Sequence, residues 1–149
     1  MKAGPERELA QRYIERFEAA GRGLGLTFAG ISEIRESRAA DAGERRAEES
    51  LQLRRWLEEG RVVVLLDERG RELDSVGLAR RIGNWRDEGV PECVFAIGGP
   101  DGHDPALLAA VPLAVSFGRM TWPHQLCRIM LAEQLYRCVT ILAGHPYHR

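Results

Sequence analysis

The chain has 149 residues, a net charge of −1 from 21 Lys+Arg and 22 Asp+Glu, and 44% hydrophobic against 29% charged residues. That balance suits a single globular domain over residues 1–149, burying about 70% of its unfolded-chain surface, and it excludes a disordered, collagen-like or low-complexity chain. No apolar run approaches the roughly 20 residues that span a bilayer, and Met1–Glu6 lacks the apolar core of a signal peptide, so a cytoplasmic setting away from membranes is expected.

Pro5 near a first turn, then Leu9, Tyr13, Ile14 and Phe17 at helical spacing, predict a first helix ending at Gly21. Leu26 to Ile34 reads as a strand with imperfect alternation. Arg38 to Glu59 reads as a polar surface helix, with Trp56 and Leu57 docking its end and Gly60 stopping it. Arg61 to Asp67 is a continuous apolar run rich in β-branched residues, the signature of a strand buried on both faces in a parallel sheet. Asp67 to Glu72 reads as a charged turn. Asp74 or Ser75 caps a helix facing inward through Leu78, Ile82 and Trp85. Glu92–Ile97 and Leu113–Phe117 are two more buried strands, with a short helix from Pro105 between them. A last helix, led in by Arg119–Pro123, ends near Gly144. Alternating strands and helices predict an α/β fold with a mainly parallel sheet.

The last helix is apolar all round: Leu126, Cys127, Ile129, Met130, Leu131, Leu135, Val139 and Leu142 cover every side of it. Such a helix is a buried helix, and covering it on all sides asks for a second copy of the chain. A homodimer through this helix is therefore expected. The same region concentrates the polar chemistry. From Pro105 onward the cations are Arg119, Arg128, Arg137 and Arg149 against the single acid Glu133, and three of the four histidines lie there. A basic end on an acidic body suits a local meeting with an anionic partner.

Two strand ends carry glycine: Gly98-Gly99-Pro100-Asp101-Gly102 and Gly118-Arg119-Met120-Thr121-Trp122-Pro123. Ligands of open α/β sheets bind at the carboxyl ends of strands, and glycine lets the backbone approach them. Neither is a dinucleotide fingerprint or a Walker loop. One such end is most simply a turn, but two of them favour a ligand pocket. Glu133 in an apolar helix needs a partner, and Arg137 stands four residues on, as a structural ion pair or as the lining of a site. His124 opens the helix. The tail His145-Pro146-Tyr147-His148-Arg149 combines rings that stack on bases with a cation for phosphate. His-x-x-His alone is too few ligands for zinc, and three scattered cysteines, Cys93, Cys127 and Cys138, form neither a disulfide framework nor a metal site.

Four ordered segments, Ile97–Gly102, Met120–Gln125, Leu131–Arg137 and His145–Arg149, together resemble the RlmH family, the small SPOUT (α/β-knot) methyltransferases of bacterial large-subunit ribosomal RNA. The resemblance implies a parallel sheet with helices on both faces, a C-terminal trefoil knot, and a homodimer through the knot helix. It implies S-adenosyl-L-methionine as cofactor and methylation of N3 of a pseudouridine in 23S rRNA on the assembled ribosome. By motif match, Leu66, Gly99, Gly118, Arg119, Met120, Thr121, Trp122 and Pro123 would bind the cofactor. His124, Glu133, Arg137, Tyr147, His148 and Arg149 would form the catalytic group. Of these, Tyr147, His148 and Arg149 would position the nucleotide, and His124 or Glu133 would assist proton removal. No metal is implied.

The family normally has an apolar strand before the segment equivalent to Met1–Pro5. Here that strand is absent, which points to a start codon farther upstream. The rival reading is a ribosome-associated binding protein of the same fold with impaired catalysis. A flavodoxin-type nucleotide-binding domain fits less well, since no phosphate loop is present.

Overall fold

The computed structural model describes residues 3–149; Met1 and Lys2, which begin the segment matched to the end of a first strand, lie outside the described residues. The chain forms two compact units. One runs to Gly30 and takes in Leu73–Gly89 and Thr121–Arg149; the other comprises Ile31–Glu72 and Val90–Met120.

The second unit holds the sheet. Strands β1 (Val62–Arg71), β2 (Cys93–Ile97) and β3 (Leu113–Val115) are all parallel, in the order β2-β1-β3. The apolar run of β1 is the middle strand, and its consecutive residues Val63, Val64 and Leu65 are each 0% exposed. Burial of neighbouring residues means burial of both faces, as the continuous run requires. Helix α2 (Ala42–Glu58) begins at Asp41, whose side chain accepts from the Glu44 amide at 3.0 Å. It packs Leu53 on Val63 and Leu65, where Ala96 of β2 and Leu107 of the short α4 (Pro105–Ala110) complete the cluster. Trp56 and Leu57 dock against the same cluster. A largely polar helix thus delivers one inward stripe to the core.

Three expectations are corrected here. Leu26 to Ile34 forms no strand: apart from the turn Arg22–Leu24 just before it, the segment up to Asp41 has no regular structure, and Ile31 and Ile34 are 52% and 39% exposed. A strand exists only by pairing, and this segment has no paired neighbour among the described residues. The charged turn after Leu66 belongs to β1, which runs on to Arg71 through an irregularity that sets both Leu66 and Arg71 against Val115. Gly70 makes this return possible. A Cβ there would lie 2.7 Å from the Ala114 carbonyl carbon and oxygen. Gly70→Ala is expected to lower unfolding free energy by about 1–3 kcal/mol, the range for forced overpacking, in urea denaturation followed by circular dichroism. Finally, β3 ends at Val115, two residues sooner than expected, because Ser116 turns back to accept from the Gly118 amide through its hydroxyl at 3.0 Å.

The first unit is helical. Helix α1 (Pro5–Gly21) carries Glu6 and Glu8 in its first turn, where the helix dipole favours acid. Its inward side centres on Ala10 and Ile14, flanked by Tyr13 and Phe17, while Leu9 is 41% exposed. Helix α3 (Ser75–Asp87) is capped by Asp74, which accepts from the Gly77 amide at 2.7 Å. Both α1 and α3 pack on α5 (His124–Ala143). On α5, Ala132, Cys138, Val139 and Thr140 are buried, Ile129, Met130, Leu131, Leu135 and Leu142 are half-buried, and Leu126 is 41% exposed. No described helix is long and apolar enough to cross a membrane.

Candidate functional site

Parallel pairing puts Leu66 level with Ile97 on one side and Val115 on the other. β2 and β3 therefore end level with Leu66 while β1 runs on to Arg71, and the loops 98–102 and 116–120 leave from carboxyl ends on either side of β1. Leu66, Gly99, Gly118, Arg119 and Met120 all belong to this unit, whereas Thr121, Trp122 and Pro123 lead into α5 in the other. Gly118 has φ +104°, and a Cβ there would meet nothing within 4 Å, so its backbone faces open space. Arg119 is exposed, and Met120 and Trp122 are 73% and 40% exposed.

A polar network that the motifs do not announce braces the 98–102 loop. Asp67, at the end of the apolar run, accepts from the Arg69 amide and guanidinium at 2.9 Å, and Arg69 donates to the His103 carbonyl at 2.9 Å. The His103 ring is 6% exposed, with Nε2 3.1 Å from the Ala96 carbonyl. A carbonyl only accepts, so Nε2 carries the proton. From α2, Arg45 grips Asp101 with two bonds of 2.8 and 3.2 Å, and Arg54 reaches Asp104 at 2.8 Å. Arg45 and Asp101 are 56 residues apart, which is why no local pattern reveals them.

Burial pushes the His103 imidazole below its ordinary 6.5, against the upward pull of the Ala96 carbonyl and Asp67. For Asp67, burial pushes upward, but the hydrogen bonds from Arg69 outweigh it and hold the carboxyl below its ordinary 3.8. Both groups bind fewer protons folded than unfolded in the window between their two pKa values, so stability falls as pH falls. His103 loses its contribution as pH drops from 6.5 toward its lower folded value, and Asp67 loses its own below 3.8. Unfolding free energy measured against pH is expected to slope downward just below 6.5, and His103→Gln is expected to flatten that slope.

The second group lies on α5 and the tail. Glu133 Oε1 accepts from Arg137 Nε at 2.9 Å and Nη2 at 2.6 Å, and from the Tyr147 hydroxyl at 3.0 Å. Its Oε2 accepts from Gln134 at 3.0 Å, and Gln134 in turn accepts from the Ser75 hydroxyl of α3 at 2.7 Å. Arg137 Nη1 stands 3.2 Å from His148 Nδ1. A guanidinium only donates, so Nδ1 is the acceptor and a neutral His148 carries its proton on Nε2. The Tyr147 ring lies 4.8 Å from that of Tyr136, and the Arg137 guanidinium sits 4.8 Å from its centre. Burial raises the Tyr147 hydroxyl above its ordinary value, as does the bond to Glu133.

The terminus is thus folded back onto α5 by a carboxylate, a cation and two rings. Glu133, Arg137, Tyr147 and His148 come together, and exposed Arg149 follows directly. His124 does not join them: it lies nine residues before Glu133 on one helix, about 14 Å along the axis. The cysteines are free. Burial pushes the Cys93 and Cys138 thiols up to about 11 and about 12, which removes them as nucleophiles at neutral pH.

Parallel strand ends with glycine, and a C-terminal helix that gathers its own tail, define the class. Residues 1–148 match a family model described as "Predicted SPOUT methyltransferase". Over its whole length the chain is 58% identical to proteins of Brucella anthropi and Mesorhizobium japonicum, covering 93% of each. It is also 52% identical, over 158 aligned residues, to a protein of Brucella abortus, covering 94% of that protein. All three are named ribosomal RNA large subunit methyltransferase H. The chain belongs to the RlmH family of SPOUT methyltransferases.

Proposed function

We propose that this chain transfers a methyl group from S-adenosylmethionine to N3 of a pseudouridine in large-subunit ribosomal RNA, on the assembled ribosome. The observation that carries the reading is the folded-back tail, in which Glu133 fixes Arg137 and Tyr147, and Arg137 meets His148. In a family whose relatives are named for rRNA methylation, a ring-and-cation surface suits a nucleotide. The single-domain reading over 1–149, the C-terminal knot, the homodimer through α5 and a cytoplasmic setting away from membranes belong to the same proposal. Half-buried apolar residues along α5 support the dimer.

The strand ends fit the cofactor. The carboxyl ends of β2 and β3, on either side of β1, with an open backbone at Gly118 and a glycine at position 99, offer amides and carbonyls to an adenosine. Leu66, Gly99 and Gly118 to Pro123 would hold it, and when bound it supplies an activated methyl on a sulfonium. The chain's own residues do the rest. Tyr147, His148 and Arg149 orient the pseudouridine; alignment alone lowers such barriers substantially. The Arg137 cation favours the deprotonated ring. Glu133 accepts four hydrogen bonds. It organises the cluster, and Glu133 itself or His124, should a second copy of the chain bring that residue to the tail, assists removal of the N3 proton, directly or through water.

Titration calorimetry with S-adenosylmethionine, after the mass in solution is measured, tests the first half of this reading. Micromolar binding to a species of twice the 16.7 kDa chain mass is expected. A monomer that binds no S-adenosylmethionine would leave the impaired binding protein as the better reading.

A further inference from the structure

Helix α2 brings a carboxylate to the glycine loop. Glu49 is half-buried, and its Oε2 accepts from the Ser37 amide at 2.8 Å. Its Oε1 lies 3.2 Å from where a Cβ on Gly99 would sit. The described hydrogen bonds of Glu49 engage Oε2 alone. The side chain also lines an open cavity of about 290 Å³ with Arg35, Glu36, Ser37, Arg38 and Glu48, on the side of the Ser37 anchor.

The surroundings fix this position. Arg45, one turn earlier, is committed to Asp101, and Arg54 to Asp104. The loop is therefore held to α2 at two points, with Glu49 between them in sequence and facing the loop's second glycine. Any side chain at position 99 would press on Oε1. Glycine lets Oε1 close on the loop backbone with no room for another atom between them, so a ligand group meets Oε1 from beside the loop. A hydrogen-bond donor is the ligand group that fits there, since a carboxylate only accepts. Carboxylates near the carboxyl ends of parallel strands take ribose hydroxyls in other α/β folds.

We propose that Glu49 is a cofactor-binding residue whose Oε1 accepts a hydrogen bond from S-adenosylmethionine over Gly99, from a ribose hydroxyl or from the amino-acid ammonium. The inference rests on the reading of Gly99 as part of the cofactor site. Ser37 also fixes what Glu49→Gln would do. The glutamine oxygen stays with the Ser37 amide, which must donate, so the NH2 turns toward Gly99. The acceptor over the loop becomes a donor while the anchor to Ser37 is kept.

The test is calorimetric titration of wild type, Glu49→Gln and Glu49→Asp with S-adenosylmethionine and with 5′-methylthioadenosine, which keeps the ribose and lacks the amino-acid part. Ligand-free melting points within about 2 °C of wild type confirm the fold. Both variants are expected to bind S-adenosylmethionine at least about tenfold more weakly, the loss when a charged acceptor is removed or withdrawn. An equal loss for 5′-methylthioadenosine assigns the donor to the ribose, and a loss confined to S-adenosylmethionine assigns it to the ammonium. Affinity within about twofold of wild type in a folded variant overturns the role of Glu49. Absence of binding by wild type overturns instead the cofactor reading on which it rests.

Discussion

Tyr147→Ala is expected to lower methyl transfer to ribosomes by at least about a hundredfold while leaving the Kd for S-adenosylmethionine within about threefold, because misplacing a substrate by an ångström already costs that much in rate. The ring is held between Tyr136 and the Arg137 guanidinium, each 4.8 Å away, and its hydroxyl is tied to Glu133. Truncation removes the platform and releases the last two residues, His148 and Arg149, from a defined path. Tyr147→Phe separates the two contributions. It keeps the ring and loses one bond to Glu133, so a loss of only about tenfold is expected, the worth of one hydrogen bond to a charged group. Single-turnover transfer of labelled methyl, beside calorimetry on the same protein, reads both. Wild-type transfer by Tyr147→Ala would remove the tail from the site.

Glu133→Ala is expected to be the more damaging change. It deprives Arg137 of a two-pronged partner and Tyr147 of its acceptor at once, in a place where the Arg137 and Glu133 side chains are 26% and 17% exposed. A cation left half-buried without its carboxylate costs about 1–2 kcal/mol of stability at this degree of exposure. The activity loss is expected to exceed that of Tyr147→Ala, since both the platform and the cation lose their position. Glu133→Gln decides the residue's role. As an organiser, the amide still accepts part of the network, and activity falls only partly with an unchanged pH profile. As the proton acceptor, it would abolish transfer altogether.

The sheet was the most legible part of the sequence. Val62 to Leu66 reads as a doubly buried strand because parallel packing removes the need for alternation, and its register sets Leu66 level with the ends of β2 and β3, after which glycine recurs. Asp74 and Gly144 marked helix ends by local chemistry. The Glu133–Arg137 pair was legible too, because four residues on a helix are neighbours in space. Leu26 to Ile34 misled because strand formation depends on a partner, which local hydrophobicity does not supply. The return of β1 to Val115 was hidden in charged residues, although Gly70 was the signal. The bracing by Arg45 and Arg54 is long-range pairing of charges that read locally as an ordinary solvated helix. Tyr147 reaching back to Glu133 spans a helix end, so no helical spacing announces that contact.

The most direct test of the central claim is methyl transfer by the purified chain to 70S ribosomes, 50S subunits and protein-free rRNA, with the product located by nuclease digestion and mass spectrometry. A single methyl on one large-subunit pseudouridine, placed at N3 by its block to reverse transcription and formed on the assembled ribosome, is the predicted result. Cofactor binding by an intact dimer with no methyl entering any of the three substrates would contradict it.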